Sequence, residues 1–436
     1  MPNPLAALRD LRGPLGVLAS MLFVSQLGVG VMLPIIPLYA IALGASPRDL
    51  GLLTTAFSLA NVAAQLGVGF ILDRIDPRIP IRAGIATYAG ANLLISTAAG
   101  VPSLLAFRAL AGLGGGANLV ADRVYLSRIA DPARLAYLNG LLGSAGSAGA
   151  LMGPAVGGLL AQVADLRAPF LVVGFTSGIA FLASLRLHQA PPSSGAPVGG
   201  IVASAFNRSV IVLLVANTLL NSTFGAFITT FAPYATAAFA WSTAEVGIVF
   251  SIFAIGSLAA APLGAVADRR GRRLVGTYAT LPVLFFALAL AFALPRPLIY
   301  LGALAAGAGL STFGACWFAL LTEAAPEARR GRTFGIVNAI SMLGLVIGAN
   351  GAAAIWELYD IRLALALAGL LAALGGLTLN FLGPSRAQGE GSLAAKPRRI
   401  TRHYALVSRV AGIMLIAVGS FDLAANLPYV RLYLGI

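Results

Sequence analysis

The sequence predicts an all-α integral membrane protein, and three observations support this. Of its 436 residues, 58% are hydrophobic and 10% are charged, whereas a soluble domain carries about 25% charged residues. Hydrocarbon offers the backbone no hydrogen-bond partners, so apolar spans are helical, and the sequence lacks the two-residue alternation of a membrane barrel. Finally, residues 69–74 return as residues 264–269, which indicates an internal duplication.

The duplication extends through both halves of the chain. The same offset of 195 residues relates five further pairs, namely Tyr39 and Tyr234, Gly112 and Gly307, Gly114 and Gly309, Gly149 and Gly344, and Gly153 and Gly348. A single offset across whole halves indicates two copies of a six-helix unit. Duplicated helical units are the usual plan of secondary transporters, whose substrate site lies between the copies.

Apolar runs of about 20 residues, separated by charged or Gly/Pro breaks, predict twelve transmembrane helices. Their expected limits are 14–43, 49–72, 81–100, 102–127, 136–163, 168–187, 208–238, 244–267, 273–294, 297–322, 333–356 and 361–382. The expected domains are an N-terminal six-helix bundle (1–187), a cytoplasmic linker (188–207), a C-terminal six-helix bundle (208–383) and a basic linker plus apolar tail (384–436). Within the tail, the short run 410–427 favours an interfacial or re-entrant segment over a thirteenth span.

The placement of arginines predicts the orientation. Basic residues concentrate in the segments 9–12, 74–82, 128–134, 186–208, 269–273, 329–332 and 386–402, whereas the intervening loops carry Arg48, Arg167, Arg296 and Arg362. By the positive-inside rule the former segments and the N-terminus are cytoplasmic, so we expect a multi-pass protein of the cell (inner) membrane. Topology explains the net charge of +14. The expected partners are the lipid bilayer and a small-molecule substrate, with no nucleic acid, and the protein is expected to function as a monomer.

Residue types that carry catalytic or metal chemistry are scarce in this sequence. Cys316 is the only cysteine, and both histidines, His188 and His403, fall in predicted loops. An intramembrane enzyme needs His, Asp or Glu clustered at one depth. We therefore expect no enzyme activity, no metal and no bound cofactor.

The repeated loop segments carry a candidate cytoplasmic latch. Asp73 and Asp268 end their predicted spans beside arginines, where a carboxylate meets cations or a helix N-terminus, and Gly69 is expected to let two helices approach closely. A plain helix stop followed by topological arginines explains one copy, but two copies at a fixed offset favour a latch. The candidate latch residues are Gly69, Asp73, Arg74, Arg78, Gly264, Asp268, Arg269, Gly271, Arg272 and Arg273.

This loop resembles the signature Gly-x-x-x-Asp-Arg-x-Gly-Arg-Arg of the major facilitator superfamily. Residues 264–273 fit the signature fully, whereas the first copy has Asp76 and Pro77 where Gly and Arg are expected. The resemblance implies two six-helix bundles that rock about a central site, which is how alternating access works in such folds.

Arg108 lies inside an otherwise apolar span, about 9 Å from its outer end. A charge at this depth is costly unless it faces a cavity, which makes Arg108 a functional candidate. The alternative is an arginine that snorkels to the outer headgroups. Arg108, Gly112 and Gly114 resemble the fourth-span pattern Arg-x-x-x-Gly-x-Gly of the superfamily, which is associated there with proton transfer.

Two acidic residues are expected near the inner mouth of the protein. Asp122 lies about 21 Å deeper than Arg108 on nearly the same helix face, so the two side chains are too far apart to pair. The expected partners are Asp73 and Arg78 for Asp122, and Asp268 and Arg272 for Glu323. Arg108, Asp122 and Glu323 are therefore the candidates for proton coupling or gating.

The fifth span is rich in residues that bend or closely pack a helix. Glycines four residues apart open a groove for a neighbouring backbone, and a proline removes one helical hydrogen bond. The residues are Gly149, Gly153, Pro154, Gly157 and Gly158. Helix packing alone explains them, but the full pattern also matches the fifth-span motif that the resemblance associates with exporters, chiefly drug:proton antiporters. The first-span motif of the twelve-span exporters is similar to Leu27, Gly28, Pro34 and Pro37.

Uncharged polar residues near mid-depth either join helices or line a cavity. The candidates for the substrate cavity are Gln26, Asn61, Gln65, Asn92, Asn118, Asn217, Asn221, Trp317 and Asn338. The first and seventh spans carry no Asp or Glu at mid-depth. The site is therefore expected to be neutral and apolar, suited to lipophilic or uncharged polar solutes.

These observations predict a secondary active transporter that exports small lipophilic or neutral solutes by alternating access, with proton antiport implied by the resemblance. One alternative keeps the fold and reverses the direction, as an importer or facilitator of a small metabolite. A remote alternative is a non-transporting membrane sensor or enzyme.

Overall fold

Helices make up almost all of the chain that the computed structural model describes, namely residues 13–72, 74–129, 135–189, 207–325 and 330–382. The first half contains α1 (Pro14–Ala42), α2 (Pro47–Ile71), α3 (Arg78–Ser96), α4 (Val101–Ile129), α5 (Leu135–Val163) and α6 (Ala168–Ser184). The second half contains α7 (Arg208–Phe239), α8 (Thr243–Ser257), α9 (Ala260–Arg270), α10 (Arg272–Ala279), α11 (Leu281–Ala291), α12 (Arg296–Ala324), α13 (Arg330–Leu358) and α14 (Ile361–Thr378).

These helices form twelve crossings, six in each half. Helices α8 and α9 make one crossing that is bent by 42°, and α10 and α11 make another that is interrupted at Thr280. Eight segments of the described chain, or nine with the bent pair, are long and apolar enough to cross a membrane. Helices α3, α5 and α6 complete the two sets of six. The chain is therefore a multi-pass helical membrane protein, as its composition predicts.

The predicted span limits agree with the helices to within a few residues, except in the eighth and ninth spans. The ninth was expected as one helix over residues 273–294, but it is interrupted at Thr280, between α10 and α11 and just before Pro282. The eighth was expected as one helix over residues 244–267, but a break at residues 258–259 divides it into α8 and α9. Pro262 lies in the first turn of α9. A proline has no N–H, so Pro262 cannot donate the helical hydrogen bond to the carbonyl oxygen of Leu258, four residues earlier. This missing bond allows the helix to break at that point.

Local sequence signals fix where several helices begin. Before α2, the Ser46 hydroxyl accepts from the Asp49 N–H, and the Asp49 carboxylate accepts from the Ser46 N–H at 2.9 Å. Ser242 and Glu245 form the same capping box before α8. Gly271, between α9 and α10, has a φ of 102°, a conformation that favours glycine.

Each half has its own apolar core. In the first half, the ring of Tyr39 packs against Phe170 at 5.1 Å, and its hydroxyl donates to the Ile95 carbonyl oxygen. In the second half, the rings of Phe231 and Phe250 pack edge-on at 5.4 Å. A buried apolar cluster in each half agrees with the internal duplication.

Closely packed glycines bring α2 and α4 together. A Cβ at Gly112 would lie 2.3 Å from the Phe57 carbonyl oxygen, and one at Gly116 would lie 2.2 Å from that of Asn61. By contrast, a Cβ at Gly69 or at Gly264 would meet nothing within 4 Å. The close approach predicted at Gly69 was therefore wrong in this conformation, because Gly69 lies on an exposed side of α2.

The two halves contact each other near the end of the bundle that we call the arginine-poor end, formed by the loops 43–46, 164–167, 240–242 and 359–360. Thr243 Oγ1 donates to the Gly158 carbonyl oxygen at 2.9 Å, joining α8 to α5. Asn350 Nδ2 donates to Thr55 Oγ1 at 2.7 Å, joining α13 to α2. A Cβ at Gly51 would lie 2.9 Å from Asn350 Oδ1. The bundle is therefore closed between the halves at this end.

Some interpretations of the sequence fall outside the described residues. They are the latch position Asp73, most of the linker 188–207, and the tail 384–436 with its apolar run 410–427. The domain limits drawn from the sequence stay predictions.

Candidate functional site

A cavity of about 210 Å³ lies between the two halves, bounded by α1, α2, α4, α7 and α13. Its lining residues are Val29, Met32, Leu33, Ile36, Pro37, Leu50, Leu53, Thr54, Phe57, Ser58, Asn61, Arg108, Phe224, Ile228, Thr229, Met342 and Leu345. Most of these side chains are apolar. A concave, mostly apolar cavity with a few polar groups between domains is the usual form of a small-molecule site.

Arg108 carries the positive charge of this cavity. It projects from α4, and its guanidinium carbon lies 4.4 Å from the centroid of the Phe57 ring on α2. Such stacking on an aromatic face stabilises a cation by about 0.5–2 kcal/mol, depending on how far it is desolvated. The Arg108 Nε atom is buried, and it has no hydrogen-bond partner among the described residues. The alternative of snorkelling to the headgroups is not what the structure shows, because Arg108 faces the cavity.

Asn61 is held rigidly at the cavity wall. Its Nδ2 donates to the Gly112 carbonyl oxygen at 3.3 Å, and its Oδ1 accepts from Gln65 Nε2 at 2.6 Å. Because Gly112 and Gly116 bring α4 against α2 at this level, the same packing that closes the helix pair also positions Asn61. Gln65 supports Asn61 and is not among the cavity-lining residues.

Of the nine polar residues predicted to line the cavity, Asn61 does so. Trp317 is buried within the second half, where its Nε1 donates to the Leu213 carbonyl oxygen at 2.8 Å. Asn92 is likewise buried within the first half and donates to the Tyr88 carbonyl oxygen. The remaining predicted positions, Gln26, Asn118, Asn217, Asn221 and Asn338, also lie outside the lining. These residues join helices or face other surfaces, which is the second role open to polar groups in a membrane helix.

Asp122 does not pair with Arg78, one of the two partners predicted for it, and the other, Asp73, lies outside the described residues. It is buried on α4, 6% exposed, one turn after Asn118, and its Oδ1 has no hydrogen-bond partner in the described chain. Arg78, its expected partner, instead binds Asp76 at 2.7 Å and the Leu187 carbonyl oxygen at 3.3 Å. The sequence shows which face of α4 carries Asp122, but it does not show which neighbouring helix covers that face.

The loop before α3 therefore carries an ion pair that the sequence did not single out. Asp76 accepts hydrogen bonds from both the side chain and the backbone N–H of Arg78. Partial burial raises the pKa of the Asp76 carboxyl, but the Arg78 hydrogen bonds and charge outweigh it and hold that pKa below its usual range. In this copy, Asp76 and Pro77 depart from the loop signature, and Asp76 serves as the carboxylate partner of Arg78.

In the second copy of the loop, Arg272 joins two carboxylates. It donates to Asp268 at 2.7 Å and also to Glu323 on α12. The structure thus brings Glu323, Asp268 and Arg272 together, as expected. Arg273 donates to the Leu382 carbonyl oxygen at 3.0 Å. All of these contacts lie within the second half, so in this conformation the contacts described for the latch do not join the two halves.

The glycine-rich helix α5, in the first half, packs against α1 of its own half and against α8 of the second half. A Cβ at Gly149, Gly153 or Gly157 would lie 2.2, 2.6 or 2.3 Å from a carbonyl oxygen of α1, in the same half. A Cβ at Gly158 would lie 2.3 Å from the Thr243 carbonyl oxygen, in the other half. Pro154 makes the reciprocal contact, because a Cβ at Gly247 of α8 would lie 2.2 Å from its carbonyl oxygen. Through Pro154 and Gly158, the motif therefore forms one of the contacts between the halves at the arginine-poor end.

Ser251 of α8 inserts into α5 beside this proline. Its hydroxyl donates to the Leu151 carbonyl oxygen at 3.1 Å and accepts from the Ala155 N–H at 3.2 Å. These two backbone groups are the pair that an uninterrupted helix would join directly. A hydroxyl group of the second half thus contacts both backbone groups of one i, i+4 pair in a helix of the first half.

Comparison with known proteins places the chain in a family. The Major Facilitator Superfamily matches residues 18–230 and again residues 213–435, once for each half. The chain belongs to this superfamily. The family resemblance predicted from the loop, fourth-span and fifth-span motifs is confirmed.

Among curated members of the superfamily, the chain is 32% identical over 162 residues to an uncharacterized MFS-type transporter of Methanocaldococcus jannaschii, covering 37% of this chain and 42% of that protein. It is 26% identical over 173 residues to the quinolone resistance protein NorA of Staphylococcus aureus, covering 40% of this chain and 44% of NorA. The matches thus span less than half the length of these relatives.

Solved structures show the same fold. A bacterial homolog of the human lysosomal transporter Spinster, in an inward-facing conformation, aligns with a TM-score of 0.73 at 14% identity, covering 87% of this chain and 98% of that one. A mutant of the nucleoside transporter NupG aligns with a TM-score of 0.72 at 14% identity, covering 85% and 100%.

Most of the residues that line the cavity were not predicted from the sequence. Phe57, Phe224 and Met342 line it, but an apolar side chain that faces a cavity looks, in sequence, like one that faces lipid. One signal was available for Phe57, which lies one turn before Asn61 on α2 and so shares its helix face.

Proposed function

We propose that this chain is a secondary transporter which exports small lipophilic solutes across the cell membrane by alternating access. The observation that carries the proposal is a cavity between two duplicated six-helix halves, closed at the arginine-poor end by contacts that cross from one half to the other. Rocking of the halves would expose such a cavity to each side in turn. We place the N-terminus and the arginine-rich loops on the cytoplasmic side of the inner membrane.

Proton antiport is the proposed source of energy, with Arg108, Asp122 and Glu323 as the candidate coupling or gating residues. Arg108 lines the cavity, and Asp122 is a buried carboxyl on the same helix. A buried ionisable group within a membrane span is costly and is a functional candidate by default. Glu323 belongs to the ion cluster in which Arg272 joins two carboxylates.

Export is the proposed direction. Its support is the complete glycine-proline pattern of α5, which forms the contact between the halves, and the similarity of part of the chain to NorA, a quinolone resistance protein. Import or facilitated diffusion of a metabolite would use the same fold and the same cavity. Transport measurements in both directions distinguish these possibilities.

The test is transport in proteoliposomes that contain the purified full chain. Release of a panel of lipophilic dyes and antibiotics would be measured with and without an imposed pH gradient, for the wild type and for Arg108→Ala. We expect gradient-driven transport that the substitution abolishes. Transport that ignores both the gradient and Arg108 would rule out proton antiport, and uptake coupled in the opposite sense would replace the exporter with an importer.

A further inference from the structure

The guanidinium of Arg108 faces an apolar cavity, and no carboxylate of the described residues pairs with it. We propose that the substrate is a small amphipathic monoanion, whose charged group binds Arg108 while its apolar or aromatic body occupies the space beside Phe57. The inference rests on the proposed transport function and names its substrate class. It departs from the sequence-based expectation of a neutral site, which considered the acidic residues of the first and seventh spans but not the cation of the fourth.

The first support is the charge balance of the cavity. The ion pairs of the described residues involve Arg78, Arg272 and Arg296, and none involves Arg108. The titratable neighbour that interacts with Arg108 is the phenol of Tyr88, which is uncharged at neutral pH. A desolvated cation without a counter-ion is strongly unfavourable. An anionic ligand would remove this penalty, and a neutral ligand would not.

The second support is the availability of hydrogen-bond donors. Thr229 Oγ1 donates to the Gly225 carbonyl oxygen at 2.9 Å, within its own helix. Asn61 Nδ2 donates to the Gly112 carbonyl oxygen. Arg108 retains its guanidinium N–H groups, including the buried Nε, without a partner in the described chain. The hydroxyls of Thr54 and Ser58 also line the cavity, but Arg108 is the charged donor of the described lining, and a carboxylate matches the planar fork of a guanidinium.

The third support is the rest of the wall. The same cavity is lined by Met32, Leu33, Ile36 and Phe224, and by Phe57, whose ring lies under the guanidinium. The described lining contains no acidic residue, so nothing in it favours a cationic drug. The volume of about 210 Å³ is below the range of roughly 300–1,000 Å³ that holds drug-sized ligands. These features fit one negative charge on a compact apolar body, such as an aryl-alkyl carboxylate.

The test compares two probes that differ in charge and share a shape, 3-phenylpropanoate and 3-phenylpropanamide. Binding to the purified full chain in nanodiscs would be measured by calorimetry, together with a series of straight-chain carboxylates of graded length. We expect the carboxylates to bind and the amide to bind at least about tenfold more weakly, the difference typical of a hydrogen bond to a charged group. Arg108→Gln should remove that preference, and Arg108→Lys should retain part of it.

The matched control is Arg48→Gln, which removes a charge from the exposed start of α2 and should leave binding unchanged. Phe57→Leu keeps apolar bulk but removes the ring, and it should weaken the aryl carboxylate more than a straight-chain one. Thermal unfolding of each variant would show that it is folded. Chloride alone, if it competed as well as the carboxylates, would assign the site to inorganic anions and overturn the amphipathic substrate.

Failure of the inference and failure of the proposed function are distinguishable. Equal binding of the carboxylate and the amide, insensitive to Arg108→Gln, would overturn the inference, as would the absence of binding by every carboxylate. Transport of neutral dyes in proteoliposomes would meanwhile leave the transport function in place. Carboxylate binding that depends on Arg108 but is never followed by transport would keep the site and reject the transporter.

Discussion

Ser251 in the second half donates a hydrogen bond of 3.1 Å to the carbonyl oxygen of Leu151 in the first half. The same hydroxyl accepts from the Ala155 N–H at 3.2 Å, so it bonds to both backbone groups of one i, i+4 position of α5. These two hydrogen bonds are lost when the halves separate at this end. The hydroxyl therefore stabilises the conformation that is closed at the arginine-poor end.

We expect Ser251→Ala to shift the conformational equilibrium away from this closed form. Each hydrogen bond in a membrane bundle contributes about 0.6 kcal/mol on average, so losing two should change the population ratio by about three- to tenfold. Spin labels across the arginine-poor end would report the distance distribution. Ser257→Ala is the control, since that hydroxyl bonds to the Ala254 carbonyl oxygen of its own helix. Equal distributions in wild type and Ser251→Ala would contradict the assignment.

Two adjacent glycines of α5 should respond differently to the same substitution. A methyl group at Gly157 would lie 2.3 Å from the Val31 carbonyl oxygen, within one half, and a methyl group at Gly158 would lie 2.3 Å from that of Thr243, across the halves. We expect Gly157→Ala to lower the thermal stability of the protein, since overpacking costs about 1–3 kcal/mol.

Gly158→Ala should instead leave the folded state largely intact and open the arginine-poor end, because the halves can separate to relieve the clash. The neutral control is Gly178→Ala, where a methyl group meets nothing within 4 Å. Thermal unfolding and the spin-label distances, measured on all three variants, separate the two effects. The same change in thermal stability and in spin-label distance for the Gly157 and Gly158 variants would contradict this distinction between a contact within one half and a contact across the halves.

We predict that Asp122→Asn uncouples transport from the proton gradient. The amide keeps the shape of the buried carboxyl but cannot bind and release a proton. Transport driven by a pH gradient should fall at least about a hundredfold, the smaller end of effects seen when an essential proton-transfer group is lost, while movement down a solute gradient continues. Asp165→Asn, at an exposed carboxylate of the arginine-poor end, should leave both rates unchanged. Unaltered gradient-driven transport in Asp122→Asn would remove this residue from the coupling scheme.

The Asp76–Arg78 pair predicts a pH-dependent contribution to stability. The pKa of the Asp76 carboxyl is lowered because the Arg78 hydrogen bonds and charge outweigh the opposing effect of burial. Its contribution is therefore complete above the ordinary carboxyl pKa of about 3.9 and is lost as the pH falls through the lowered value. Asp76→Asn should reduce stability by about 1 kcal/mol or less at pH 7, and the difference from wild type should shrink below about pH 4.

A double-mutant cycle with Arg78→Gln checks this assignment. If the pair is the source of the effect, Arg78→Gln should add little to Asp76→Asn at pH 7. Fully additive losses would mean that the two residues act separately, through the start of α3 and through the Leu187 carbonyl oxygen.

Much of the fold follows from the sequence because the bilayer restricts the choices. A backbone in hydrocarbon must be helical, so the apolar runs define the spans, and Ser46 with Asp49 marks the start of α2 by a capping box. The offset of 195 residues predicts the six-plus-six arrangement. The break before Pro262 was missed because a proline does not always interrupt a span, as Pro34 and Pro37 inside α1 show. The open surroundings of Gly69 were missed because the apolar runs do not show how the helices pack.

The candidate site was less predictable, for a physical reason. Arg108 and Asn61 stand out as polar residues in apolar spans, and both line the cavity. Trp317 and Asn92 have the same signal but bond to backbone carbonyl oxygens inside their own halves. The apolar lining gives no signal, since lipid and cavity select the same side chains. Ser251 was missed because its role depends on the register between the halves.

Cross-linking of the two halves at the arginine-poor end tests alternating access most directly. Thr55 and Asn350 bond across the halves at 2.7 Å, so cysteines at both positions, in a background where Cys316 is replaced by Ser, can be joined through reducible disulfides by a short bifunctional methanethiosulfonate. We predict that the cross-link stops transport in proteoliposomes and that reduction restores it, with either single-cysteine protein unaffected by the reagent. Transport at the full rate with the halves covalently joined would contradict the proposal that they separate during each cycle.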